Sequence, residues 1–293
     1  MNGRLAALLL GLAAAVAVPG ARAAERNVLW SVRGEHNTVY LFGSIHVLRP
    51  GDAGLPRAAT EAYAEAEQLV MEIDMDDPAM ADPVAMATQM QRSAMLPAGQ
   101  SLRSVLGADY AVIAQRSRAA GLDLALLDPF APWFVATMLL QLEMAQRGFD
   151  PAHGVEQQLA DRAVHDGKPI LGLETPGQQF AVLGGLSLAE QKRFLLLTLE
   201  ETEESDAELE ELLAAWRTGD TAVLARVLSE AFEEFPELYR PLTEDRNRAW
   251  LADLEALLDD RDDYLVVVGA LHLVGRNSVV DLLRQRGHAV TRR

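Results

Sequence analysis

The chain writes one pattern twice. Thr38-Val39-Tyr40-Leu41-Phe42 runs into Gly43-Ser44-Ile45-His46, and Tyr264-Leu265-Val266-Val267-Val268 runs into Gly269-Ala270-Leu271-His272. Each copy is a short β-branched and aromatic run, which reads as a strand. Each ends at a glycine, where a backbone must turn or approach another group closely. Leu265 to Val268 is continuously apolar instead of alternating, the mark of a strand covered on both faces. Two such corners predict a sheet with His46 and His272 at one edge, where α/β proteins commonly bind ligands.

Further strands are expected at Asn27 to Val32, Leu69 to Ile73, Ile170 to Leu173 and His288 to Val290, with long helical patterns between them. Pro132 opens one helix that stops at Gly148, Ser187 and Glu190 form a capping box for another, and Asp220 caps a third. Glu200 to Glu211 carries periodic leucines among acids and reads as a solvated helix face, not a metal site. The fold class is α/β, with α+β the other arrangement: a covered central sheet holding two related strand–Gly-x-x-His halves. No Gly/Ser-rich or Pro-rich linker interrupts it.

The amino terminus sets an expected compartment. Arg4 precedes an apolar run from Leu5 to Val18, then Pro19, Gly20 and Ala21-Arg22-Ala23, the three-part pattern of a signal peptide. That run is short of the ~20 residues a spanning helix needs. Residues 1–23 are therefore expected to be removed, leaving one domain over 24–293, soluble in a periplasm or secreted, with no stable membrane insertion. The net charge of −17 becomes −19 when Arg4 and Arg22 leave with the signal. An acid-rich surface repels phosphate backbones, so nucleic acid is not an expected partner.

The chain has no cysteine, so a metal would have to be held by His, Asp or Glu. One Gly-x-x-His is weak evidence, since a histidine beside a strand is often a hydrogen-bonded core residue; two copies after buried strands point to a shared site. Glu72 ends the strand Leu69-Val70-Met71 and shares an alternating face with Asp74. Burial of that carboxylate requires a partner: a cation, a histidine proton or an arginine.

These motifs, with His153-Gly154-Val155-Glu156, the block Gly167-Lys168-Pro169-Ile170-Leu171-Gly172-Leu173-Glu174-Thr175, and Arg246-Asn247 before Trp250, resemble the TraB/GumN family, which includes the animal Tiki ectodomains. The likeness spans essentially all of the mature chain and keeps the order of the motifs. It implies a compact α/β fold similar to erythromycin-esterase and ChaN-like proteins, and metal-dependent proteolysis of the Tiki kind. Carried over residue by residue, His46 and His272 match the motif histidines and Glu72 the strand-end acid. Gly43 and Gly269 match the motif glycines, and Glu156, Glu174, Arg246 and Asn247 match further candidate positions.

Two imidazoles and a carboxylate without sulfur suit a divalent ion such as Mn, Co, Fe or Zn. Metal-bound water then acts as a nucleophile, with Glu72 or Glu156 as general base and Arg246 as oxyanion partner. The expected substrate is a peptide or small molecule. A serine hydrolase built on Ser44 and His46 is disfavoured, because side chains two apart on a strand project in parallel and no nucleophile elbow is present. The alternative is a non-catalytic periplasmic binding or regulatory protein that captures a peptide, haem or signalling molecule with the same histidines.

Overall fold

The computed structural model describes residues 27–52, 54–76, 82–201, 206–232 and 236–293. The expected signal segment and the expected mature start at Ala24 lie outside these residues.

Six strands form one sheet: β1 (Leu29–Arg33), β2 (Thr38–Ser44), β3 (Gln68–Ile73), β4 (Ile170–Glu174), β5 (Tyr264–Gly269) and β6 (Val290–Arg292), in the order β4-β3-β5-β2-β1-β6. The first four in that order run parallel, while β1 is antiparallel to both β2 and β6. The class is thus mixed α/β. The two copies of the repeat are adjacent parallel strands, with Gly43 opposite Val268 and Ser44 opposite Gly269. Their glycines are therefore staggered by one residue, and the loops that follow leave the sheet at different heights.

Every residue of β2 and β5 is buried, as the unbroken apolar runs require of strands covered on both faces. The helices Arg57–Glu65, Val155–Asp166, Asp206–Thr218, Asp245–Leu258 and Val279–Gln285 supply that cover through Tyr63, Leu159, Trp216, Trp250 and Leu283. Full burial of one such aliphatic side chain stabilises by about 1.5–3 kcal/mol relative to exposure, so the central strands fix the sheet order.

A second apolar cluster lies in the helices Pro83–Ala94, Leu102–Leu106, Tyr110–Ala119, Pro132–Gln146 and Leu188–Glu201, around Trp133, Phe134, Leu139 and Leu195. Most of these helices fall between β3 and β4, so a helical layer grows from one connection of the sheet. The expected caps are present. Pro132 is the first residue of its helix and Gly148 follows its end with φ 82°. Glu190 accepts from the Ser187 N–H while Ser187 Oγ accepts from the Glu190 N–H. Asp220 accepts from the N–H groups of Ala222 and Val223.

The acidic run is divided between two helices, the end of Leu188–Glu201 and the start of Asp206–Thr218; residues 202–205 lie outside the described set. Its periodic apolar residues face the sheet, with Leu213 and Trp216 in the core. Among the described residues no helix is long and apolar enough to cross a membrane.

Candidate active site

Four parallel strands end at the same edge of the sheet, and each delivers part of one polar cluster. β3 brings Glu72, β4 brings Glu174, β2 leads through Ser44 to His46, and β5 leads through Gly269 into the short turn Ala270–His272. The helix Asp245–Leu258 lays Arg246, Asn247 and Trp250 across that edge. It is preceded by a π-helical segment, Arg240–Glu244, and π-turns recur at functional sites because they re-aim the side chains that follow.

The two histidines meet. His46 Nε2, Glu72 Oε1 and His272 Cδ2 all lie within 3.5 Å of one point, the place a Cβ on Gly269 would occupy. Any larger residue at 269 would stand among them. Gly43 is needed for a different reason: a Cβ there would come within 2.5 Å of Val28 and 2.9 Å of the Ala270 backbone. The carbonyl of Gly43 also accepts the indole N–H of Trp216 at 2.7 Å.

Each imidazole is held from behind through Nδ1. His272 is 6 % exposed, and its Nδ1 faces Asn247 Oδ1 at 2.6 Å, while Asn247 Nδ2 donates to the Asn277 carbonyl at 2.9 Å. That second bond fixes the amide, so Nδ1 carries the proton and Nε2 is an acceptor. The His272 ring also packs on Trp250, with centroids 4.7 Å apart. His46 sits at the rim, its side chain 63 % exposed, with Nδ1 2.6 Å from Glu156 Oε1. The Ser44 hydroxyl donates to the same oxygen, so Ser44 and His46 share one carboxylate oxygen. Glu156 Oε2 is buried with no hydrogen-bond partner among the described residues.

Glu72, 8 % exposed, accepts from the Gly269 N–H at 2.8 Å, from Arg246 Nη2 at 2.6 Å and from Gln179 Nε2 at 3.3 Å. Its Oε1 is 3.9 Å from His272 Nε2. Glu174 accepts from Arg246 Nε at 3.0 Å and from the Trp250 indole at 2.8 Å. Arg246 thus ties two strand-end acids together, and its Nη1 lies 3.2 Å from His272 Nε2. Asp74, expected on the Glu72 face, instead turns back to accept from the Asp76 N–H at 2.9 Å. β3 ends at Ile73, so strand alternation no longer governs where Asp74 points.

The charges are mutually adjusted. Burial pushes the Glu72 carboxyl up, but His272, His46, Arg246 and the Gly269 N–H outweigh it and bring the group down to about 2. Burial lowers His272 to about 4, against the pull of Glu72, and the neighbouring Arg246 and His46 add to the fall. The Glu156 carboxylate raises His46 to about 9. Burial works against the Arg246 charge, but Glu72 and Glu174 hold it protonated.

Sequence reasoning missed three contributors. Gly154 is a contact residue, since a Cβ there would fall 2.1 Å from the His46 carbonyl oxygen. The adjoining Val155 N–H donates to the Ile45 carbonyl at 3.0 Å, so the turn before Val155–Asp166 clamps the His46 loop. Gln179 reaches Glu72 from a helix whose only visible signal was its Thr175–Gln178 capping box. Trp250, read only as part of a motif, is the floor beneath His272 and Arg246.

A cavity of about 640 Å³ opens beside this cluster, with Glu174, Arg246 and Trp250 on the shared wall and Val182, Leu186 and Pro241 among its apolar lining. His46, His272 and Glu72 do not line it.

Among known proteins, the chain matches the TraB/PrgY/gumN family over residues 28–292. It is 29 % identical to the uncharacterized protein YbaP of Escherichia coli (strain K12), across 87 % of this chain and 97 % of that one. An uncharacterized Treponema pallidum (strain Nichols) protein is 22 % identical, across 92 % of this chain and 84 % of its own length. The metalloprotease TIKI2 of Xenopus tropicalis is 26 % identical over 89 % of this chain, which corresponds to 59 % of TIKI2. No solved structure matches, so the likeness to erythromycin-esterase and ChaN-like folds rests on motif resemblance.

Proposed function

The chain belongs to the TraB/PrgY/gumN family, and from that membership and the geometry of the sheet edge we propose that it is an exported, metal-dependent hydrolase acting on a peptide or small-molecule substrate. The observation that carries this reading is the approach of His46 Nε2 and Glu72 Oε1 to one point beside Gly269, with His272 Nε2 3.9 Å from the same Glu72 oxygen and both imidazoles anchored through Nδ1. Histidines that ligate metals are characteristically held in this way through the other ring nitrogen. The likeness to a relative named a metalloprotease supports it.

The residues present suit a divalent cation in the kind of donor they offer but not in their spacing. Their donors are nitrogen and oxygen only, which suits Mn, Co, Fe or Zn. Among the described residues no three His, Asp or Glu side chains are gathered tightly enough to ligate as they stand, and Arg246 lies against the two innermost of them. His46, His272 and Glu72 would hold the ion, which would lower the pKa of a bound water and polarise a carbonyl.

The chain's own groups divide the remaining work. Glu156 holds His46 at the rim, and its unpartnered oxygen is placed to take a proton. Asn247 keeps the His272 Nε2 lone pair directed inward. Arg246, committed to Glu72 and Glu174, is an electrostatic tie and not a free oxyanion donor. The cavity past Trp250 receives the flank of a substrate. Because Arg246 already neutralises the acids, a second reading is a binding protein that needs no ion at all.

Purified mature chain, His46→Ala, His272→Ala and Glu72→Gln compared on a peptide library, with chelator and metal add-back, separate the two. Cleavage that is abolished by chelator, restored by metal and lost in each variant supports the hydrolase. Ligand capture without turnover, insensitive to chelator, supports the binding protein.

A further inference from the structure

β4 ends the sheet on its side, with β3 its one strand neighbour among the described residues. Leu69 pairs with Ile170, and the Leu69 N–H donates to the Pro169 carbonyl at 3.0 Å. In a parallel ladder that register commits the backbone groups of Pro169 and Leu171 to β3 and turns the N–H and C=O of Ile170 and Gly172 outward. Leu171 is 40 % exposed, and Gly172 beside it is exposed as well. An unpaired edge is a template for an added strand, and Ile170-Leu171-Gly172-Leu173 carries none of the charges or prolines that usually blunt one.

The same strand ends at the cavity of about 640 Å³, where Leu173 and Glu174 form part of the wall. The lining has two characters. Val182, Leu186, Pro241 and Trp250 are apolar, while Glu174, Glu190, Glu237, Asp245 and Asp253 are acidic and face a single lining cation, Arg246. Arg246 is committed to Glu174 and Glu72. Glu237 and Asp245 each lie 3.1 Å from an arginine, Arg193 and Arg240. Glu190 accepts the Ser187 N–H but pairs with no cation, and Asp253 has no hydrogen bond or ion pair among the described residues. An apolar wall leading to unbalanced carboxylates suits a lysine or arginine side chain, whose stem packs on apolar surface while its head reaches charge.

We propose that β4 and this cavity form one substrate subsite: an extended peptide adds as a strand along Ile170 to Gly172, and a basic side chain beyond the paired stretch enters the cavity. This rests on the reading of the sheet edge as a site for a peptide or small molecule, and narrows it to basic peptides in extended form. Backbone bonds to the edge supply affinity and the pocket supplies the choice of side chain, so capture itself requires no ion. Like charge turns acidic peptides away. Glu174 stands at the join, on the cavity wall and tied through Arg246 to Glu72, so a strand bound there is brought beside the polar cluster.

The test is fluorescence anisotropy of labelled short peptides of alternating Thr and Val, with one central Lys, Gln or Glu, titrated with the mature protein in chelator. The Lys peptide should bind about fivefold more tightly than the Gln peptide, and the Glu peptide least. N-methylation of one alternating set of amides removes donors from a single edge of the peptide strand, and one of the two sets should weaken binding about tenfold. Asp253→Asn combined with Glu190→Gln, which keeps the capping box, should bring the Lys peptide down to the level of the Gln peptide, with the fold checked by circular dichroism. Should that variant fail to fold, salt answers in wild type by weakening the Lys peptide and not the Gln peptide. Binding without preference for Lys, or unchanged by the paired substitutions, overturns the basic subsite and leaves a peptide site standing. Binding that neither N-methylated set weakens overturns strand addition. If no peptide binds, the inference fails, and the peptide-library comparison of wild type with the His46 and His272 variants decides the hydrolase reading separately.

Discussion

Glu156 Oε1 stands 2.6 Å from Nδ1 of His46, at the first turn of a helix that begins 109 residues farther along the chain at Val155. The pair links the β2 loop to a separate element, and it makes the exposed histidine the more basic of the two: Glu156 raises it to about 9.

Replacing Glu156 by Gln removes that charge. In the metal-free protein the His46 titration followed by NMR is expected to fall back toward the ordinary histidine range, and metal affinity to weaken by ~10–100-fold, as for other outer partners of ligating histidines. An unchanged titration would mean that His46 points elsewhere in solution. A raised pKa contributes stability present below pH 6.5 and lost as pH climbs through about 9, so the variant should lose stability relative to wild type mainly on the acid side of that window.

The interior histidine has the opposite sign. His272 is lowered to about 4 and Glu72 to about 2, and a group with a depressed folded pKa stabilises above its unfolded value and ceases to do so as pH falls through the folded one. Metal-free protein should therefore lose stability from pH 6.5 downward, first through His272 and then through Glu72. Denaturant unfolding at pH 7, 5.5 and 4 in the presence of chelator measures it. His272→Gln should show a shallower decline than wild type between pH 6.5 and 4.

Gly154→Ala tests the clamp on His46. A methyl group 2.1 Å from a backbone oxygen cannot be accommodated by a rotamer change, so the turn or the His46 loop must shift. Overpacking of this kind costs about 1–3 kcal/mol, read as a lower denaturant midpoint, with metal binding weakened alongside. A variant as stable as wild type would show the turn to be more yielding than its hydrogen bonds suggest.

Asn247→Leu removes the anchor of His272 while keeping bulk. Asn247 is 2 % exposed and His272 6 %, so the His272 Nδ1 is left without its partner in the interior, at about 1–3 kcal/mol, and the part-buried Asn277 carbonyl loses its bond as well. Chemical denaturation gives the stability, and calorimetry with Mn²⁺ should give weaker binding than wild type. Full metal affinity in a stable variant would separate Asn247 from the site.

Much of the edge was legible because the repeat names its own corners: a buried strand, a glycine and a histidine three residues on. The repeat did not reveal that the copies lie in opposite environments, His46 at the rim and His272 in the interior, since that follows from the one-residue stagger and from which helix covers each loop. Family motifs pointed to Glu72, Glu156, Glu174, Arg246 and Asn247, but not to their pairing, which depends on strand order β4-β3-β5-β2. β6 was expected at His288 to Val290 and lies at Val290–Arg292. It is an edge strand whose pairing with Trp30 to Val32 uses Arg292, a residue with no apolar signal. Asp74 was misplaced because alternation was carried one residue past the strand.

The account turns on one ion shared by His46, His272 and Glu72. Anomalous diffraction from crystals of the mature protein soaked in Zn²⁺ or Mn²⁺ measures this most directly. The prediction is a single strong peak beside Gly269, about 2.0–2.2 Å from nitrogen of each histidine and from a Glu72 oxygen. Peaks confined to surface acids, with Arg246 still bonded to Glu72 and His272, would contradict it.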